Sequence, residues 1–111
     1  MQGGKRPSKK QQDFQNWMRS LGCIAKGCNG QAEIHHCAGS TAKHNKVDIG
    51  QWWTIPLCSY HHRGSEGVHS MGRLRKNFEK ANWSKLALGY DMGGHGDIPG
   101  EVVQAIKDFH L

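Results

Sequence analysis

Apolar residues are scarce in this 111-residue chain, at 36%, and 15 glycines dilute them further. No apolar run is long enough to cross a membrane, and the opening residues show no apolar signal-peptide core. Sustained apolar periodicity is short, and neither internal repeats nor low-complexity segments occur. Acidic residues are also few, nine against 15 Lys/Arg, for a net charge of +6. These absences argue against a membrane-spanning protein and against a domain that stands on its hydrophobic core alone. At this length a single domain is expected, and a core this thin calls for a disulfide or metal staple.

What is present identifies the staple. Four cysteines accompany eight histidines. Disulfide scaffolds have no reason to be rich in histidine, whereas histidines beside cysteines at ligand spacing favour metal. Free thiolates persist in a reducing compartment, so the expected location is cytoplasmic. A secreted disulfide protein is the weakest reading, and a free-thiol count would dispose of it.

The charge is uneven. Residues 1–85 hold 14 Lys/Arg against five Asp/Glu, whereas residues 86–111 hold Lys107 against Asp91, Asp97, Glu101 and Asp108. A basic body attracts a polyanion, and nucleic acid is the commonest, although mild basicity alone is weak evidence.

Residues 1–7 are expected to be a basic flexible tail, and residues 8–111 the domain. Ser8 with Gln11 fits a capping box, Phe14, Trp17, Met18 and Leu21 share one helical face, and Gly22 ends the helix. A knuckle follows from Cys23 to Cys28, with Gly27 and Gly30 supplying its turns. Ala32 to Cys37 reads as a strand, Ala38 to Gln51 as a loop without a packing signal, and Trp52 to Leu57 as the second strand of a small hairpin. Met71, Leu74, Phe78 and Ala81 predict a helix. A glycine-rich connection, Gly89 to Gly100, leads to a last helix with Pro99 at its start and Val102, Ile106 and Phe109 inward.

Structural zinc sites take four ligands, commonly as two close pairs. Cys23 and Cys28 form one pair and Cys58 and His61 the other, with Cys37 as the fourth cysteine able to displace one of them. His35, His36, His62 and His69 remain. Adjacent imidazoles repel when protonated, so two His-His pairs point to a metal that holds them neutral. On a strand His35 and His36 face opposite ways.

A knuckle cysteine pair, then Glu33-Ile34-His35-His36, then Pro56-Leu57-Cys58-Ser59-Tyr60-His61-His62 leading into a helix resembles the ββα-metal core of HNH (His-Me finger) endonucleases. The last run, with His69, Gly72 and Phe78 beyond it, is most similar to the phage recombination-enhancement (Ref-type, RecA-dependent) nucleases. The resemblance spans roughly residues 22–80. It implies a small irregular α+β fold: a zinc-stapled, treble-clef-like ββα-metal core with flanking helices. It implies a structural Zn2+ on Cys23, Cys28, Cys58 and His61, with His61 standing where the family commonly has a second cysteine. It further implies a catalytic divalent ion (Zn2+, Mg2+ or Mn2+) on His35, His62 and His69, and His36 as general base. The family's middle asparagine would fall near Trp53, where none occurs; Asn45, Asp48 or His44 is the expected substitute.

The activity so implied is metal-dependent hydrolysis of DNA phosphodiesters, of phage or prophage origin in the host cytoplasm, with a RecA-type filament as candidate partner. Lys43, Lys46, Arg63, Arg73, Arg75 and Lys76 are candidate phosphate contacts, and Lys5, Arg6, Lys9 and Lys10 add nonspecific affinity. No base-reading pattern is visible, so low sequence specificity is expected. Glu33 is either a support for a ligand histidine or a solvated strand residue. Two non-catalytic readings compete: a zinc-stabilised nucleic-acid-binding module, and a structural protein with two closed zinc sites. The discriminator is a fourth ligand at the second ion, such as Cys37, His44 or His95.

Overall fold

A computed structural model describes residues 6–25, 28, 30–39, 43–44, 47–65, 67–89 and 98–111, with backbone alone at 43–44 and 47–48. The first helix, α1 (Lys9–Ser20), begins at Ser8, whose hydroxyl accepts the Gln11 N–H while the Gln11 side chain accepts the Ser8 N–H. Phe14 and Met18 are fully buried on its inner face, with Trp17 and Leu21 half-buried beside them. Gly22, at φ +78°, turns the chain out of the helix toward Cys23, a conformation glycine adopts without a Cβ clash.

Strand β1 (Glu33–His36) pairs antiparallel with β4 (Thr54–Leu57), in the register Glu33 to Leu57, Ile34 to Pro56, His35 to Ile55 and His36 to Thr54. A two-residue pair, β2 (Lys43–His44) with β3 (Val47–Asp48), sits in their connection. The segment expected to be a plain loop therefore holds a small hairpin, and Ile49 after it is fully buried. Isolated two-residue strands carry no periodicity that a sequence can display.

All four residues of β4 are buried, because α1 covers one face of this sheet and the later helices the other. Thr54 faces α1, its hydroxyl 3.6 Å from Met18 Sδ. Alternation then puts Ile34 and His36 on the α1 face, and Glu33, His35, Ile55 and Leu57 on the other.

Beyond β4 lie α2 (Ser59–Arg63), two 3-10 turns (Val68–Ser70 and Gly72–Leu74), α3 (Arg75–Ala87) and α4 (Gly100–His110). The inner face of α3 is Glu79, Trp83, Leu86 and Ala87. Of the expected face of Met71, Leu74, Phe78 and Ala81, Met71 and Phe78 pack half-buried against the core, whereas Leu74, 66% exposed, and Ala81 do not, and both Met71 and Leu74 precede the helix. The buried stripe begins with a carboxylate, so apolar periodicity did not find it. Trp83 donates its indole N–H to the Trp52 carbonyl at 2.8 Å, tying α3 to the turn before β4. In α4, Val102 and Ile106 are buried as expected; Ala105 joins them, and Phe109 lies at the exposed end. The glycine-rich connection falls largely outside the described residues. Among those described, no helix is long and apolar enough to cross a membrane.

Candidate metal centres

Cys23, Cys28, Cys58 and His61 converge with their ligand atoms all within 4.8 Å of one another. Gly22 delivers Cys23 from the end of α1, and the Cys23 N–H bonds the Gly30 carbonyl at 3.0 Å, closing the knuckle. Cys58 caps α2: its Sγ accepts the His61 N–H at 3.5 Å, so the helix start fixes Cys58 and His61 together. Separations are 3.6 Å from Cys23 Sγ to His61 Nδ1, 3.9 Å from Cys28 Sγ to Cys58 Sγ, and 3.2 Å from Cys58 Sγ to His61 Nδ1. A tetrahedron with metal–sulfur and metal–nitrogen bonds of about 2.3 and 2.0 Å has edges near 3.5–3.8 Å, so the donor set fits a tetrahedral ion. Gly30 packs closely against the cluster: a Cβ there would lie 3.3 Å from Cys58 Cβ, so the neighbour would have to give by a few tenths of an ångström. Burial pushes the Cys23 thiol up to about 11, whereas the His61 backbone N–H draws Cys58 down to about 6.

The second cluster is His35, His62 and His69, supplied by β1, α2 and the turn Val68–Ser70. Their rings lie 4.9–5.1 Å apart, centroid to centroid. His35 is 1% exposed and His69 is at the surface, so the cluster opens outward. Two of the three are held by carboxylates. His62 Nδ1 is 2.6 Å from Glu33 Oε1, and Arg63 bonds the same carboxylate at 3.1 Å. His35 Nε2 is 2.6 Å from Oε2 of Glu79, also 1% exposed. Of the two readings left open for Glu33, its bond to His62 favours the support of a candidate ligand histidine, although its side chain stays partly exposed. Among the described residues no fourth Cys, His, Asp or Glu joins the three imidazoles. Cys37 lies with His35 and Glu79 instead, fully buried, and it displaces none of the four knuckle ligands.

Burial disfavours the charged form of two of the three imidazoles. Burial lowers the pKa of His35 against the pull of Glu79, and burial with the neighbouring His35 and Arg75 lowers that of His69. Burial would raise Glu79, but hydrogen bonds from His35, Arg75 and the Ala38 N–H outweigh it and hold the carboxyl below its ordinary range. Glu33 is lowered chiefly by its bond from His62. Neutral imidazoles beside ionised carboxylates are the state in which histidines bind a cation.

His36 lies on the opposite face of β1, half-buried, with Nε2 3.2 Å from Gln51 Oε1. Gln15 of α1 donates to that same oxygen at 2.8 Å and to the Gln51 carbonyl at 3.0 Å. Gln51, not one of the residues anticipated for the missing asparagine, thus fixes His36. Asn45 lies outside the described residues, as do Lys46, Lys5 and His95, and the side chains of Lys43, His44 and Asp48 are likewise not described. Arg63 and Arg75 are engaged with Glu33 and Glu79, while Arg73 and Lys76 are exposed. Neither Glu79 nor Gln51 was found from sequence. The Arg75–Glu79 spacing of four was a visible helical pair, but nothing local linked it to His35, 44 residues away.

On one small α+β domain, one Cys/His group and one three-histidine group opening to solvent could each hold a metal ion. The profile of the recombination enhancement, RecA-dependent nuclease family matches residues 7–89. The chain belongs to that family. The matched stretch runs from the start of α1 to the end of α3 and contains both clusters; α4 lies beyond it. Neither a curated protein nor a solved structure matches the chain.

Proposed function

We propose that this protein is an HNH-type, metal-dependent DNA endonuclease whose ββα-metal core is β1, β4 and the helical segment that follows, stapled by zinc in a treble-clef-like knuckle. The observation that carries the reading is the three-imidazole cluster, supported by carboxylates, with no fourth protein ligand among the described residues. Three ligands leave coordination positions open, as catalytic sites require and closed structural sites do not. Cys23, Cys28, Cys58 and His61 hold the structural Zn2+; His35, His62 and His69 hold the catalytic divalent ion.

An ion held by His35, His62 and His69 would supply Lewis-acid chemistry for phosphodiester hydrolysis. His36 serves as general base. With its Nε2–H given to Gln51, Nδ1 carries the lone pair and takes the proton from water. Because His35 and His36 face opposite ways, the scissile phosphate crosses the edge of β1 that pairs with no strand among the described residues. Arg73 and Lys76 hold neighbouring phosphates, with Lys43 and Lys46 from the β2–β3 hairpin and the free donors of Arg63 and Arg75. Contacts of this kind position DNA without reading bases, so specificity is low and targeting falls to a RecA-type filament.

The test compares wild type with His36→Ala in plasmid nicking, with metal content measured on both and with single-stranded DNA carrying a RecA filament as one condition. Wild type is expected to cut with divalent metal, and the variant to keep its zinc while losing two to four orders of magnitude in rate. Two bound ions with no cutting under any condition would overturn catalysis in favour of a zinc-stabilised nucleic-acid-binding module.

A further inference from the structure

We infer that Glu79 is the positioning residue of the three-histidine site, holding His35 in the one tautomer and orientation that presents Nδ1 to the ion. The inference rests on the metal-site reading above and goes beyond it, since it gives the site a member from α3 that touches neither ion nor DNA.

The geometry points to Glu79 on three counts. Its carboxylate is pinned from three directions: Oε2 accepts from Arg75 Nε at 2.9 Å and lies 2.6 Å from His35 Nε2, and Oε1 accepts the Ala38 N–H at 3.0 Å. A carboxylate so fixed cannot follow a rotating imidazole, so the ring is held instead. Second, an ionised carboxylate accepts only, so the His35 nitrogen facing it carries the proton. The lone pair is then left on Nδ1, the nitrogen available to an ion shared with His62 and His69. Third, both partners are 1% exposed. In that environment the charge of Glu79 is poorly screened, and it is the buried negative charge nearest a cation whose three ligands are all neutral. Glu33 holds His62 by a bond of the same length, but its side chain is 38% exposed and shared with Arg63. Water and Arg63 weaken its field at the ion. The two carboxylates are therefore unequal, and Glu79 is the stronger.

Arg75 takes a second meaning from this. Its Nε is committed to Glu79, so it anchors the carboxylate as well as offering its remaining donors to a phosphate.

The experiment titrates Co2+ and Mn2+ into protein whose cysteine site is already loaded with zinc, by calorimetry and by the visible Co2+ spectrum, with no DNA present. Glu79→Gln is nearly isosteric and is expected to weaken the second ion by roughly 10- to 100-fold and to alter the Co2+ spectrum, while Glu33→Gln weakens it less. A purely structural Glu79 would lower the melting temperature of metal-free protein and leave the second-ion affinity within twofold; that result overturns the inference. Should Glu79→Gln fail to fold, 15N spectra of wild-type histidines decide: Nε2-protonated His35 supports the proposal, and Nδ1-protonated His35 refutes it. Since ion binding is read without cleavage, wild type that binds the second ion but never cuts refutes the nuclease reading alone.

Discussion

Replacing Gln51 by alanine separates the orientation of His36 from its presence. The substitution removes the amide oxygen 3.2 Å from His36 Nε2. The Gln15 amide loses one partner at 2.8 Å but keeps the backbone carbonyl of residue 51 at 3.0 Å, so no buried donor is stranded. The thermodynamic loss is that of two neutral, partly buried hydrogen bonds, to His36 and from Gln15, about 1 kcal/mol each. The kinetic loss has a different origin. Without an acceptor at Nε2 the imidazole samples other rotamers and the other tautomer, and the base is correctly placed for only part of the time. A tenth of the time corresponds to about 1.4 kcal/mol of barrier. Deleting the imidazole in His36→Ala forfeits the whole general-base contribution, roughly 10²- to 10⁴-fold. Single-turnover cleavage of supercoiled plasmid, at a temperature well below both unfolding midpoints, should therefore rank wild type, Gln51→Ala about tenfold slower, and His36→Ala slower again, with the Gln51→Ala midpoint lowered by several degrees. A Gln51→Ala rate equal to wild type would show that this hydrogen bond does not position the base. A rate equal to His36→Ala, with the fold intact, would give Gln51 a direct part in the chemistry.

Two further outcomes follow from burial and ligation. Stripping metal with a strong chelator should lower the melting temperature sharply and expose Cys23, Cys28 and Cys58 to a thiol reagent. Cys37, at 1% exposure, should stay protected until global unfolding; four equally reactive thiols in the loaded protein would contradict the ligand assignment. Phe14→Ala should cost about 3–5 kcal/mol, because its ring is fully buried 5.4 Å from that of Trp52. Leu74→Ala should fall within about 0.5 kcal/mol of wild type, being 66% exposed. Urea denaturation measures both, and a large loss at Leu74 would restore the apolar face first expected for that helix.

The features legible in the sequence are those whose physics is local. A capping box needs residues three apart, so Ser8 and Gln11 announced α1 and the structure has both reciprocal bonds. A chelating pair needs a turn between its members, so Cys23 with Cys28 and Cys58 with His61 could be read as two halves of one site. The family followed from their order. The alternation of β1 separated His35 from His36 before any coordinates, because strand side chains must face opposite ways.

Where the physics is long-range, the sequence was silent or misleading. The buried face of α3 opens with Glu79, and a carboxylate breaks an apolar pattern even when it is among the most buried side chains in the protein. Its partner His35 is 44 residues away, and only the packing of α3 against β1 and β4 brings them to 2.6 Å. Gln51 bonds His36 without having been singled out from sequence, because which side chain reaches His36 depends on the path of the chain into β4. Cys37 could have served either site by spacing, and only the fold shows that it lies beside His35 and Glu79, apart from Cys23, Cys28, Cys58 and His61. The sequence by itself determined which residues are candidate metal ligands, since ligand chemistry is a property of residue types at short spacing. The tertiary structure decided which carboxylate meets which histidine, Glu79 with His35 and Glu33 with His62, since those contacts join segments that composition and periodicity do not connect.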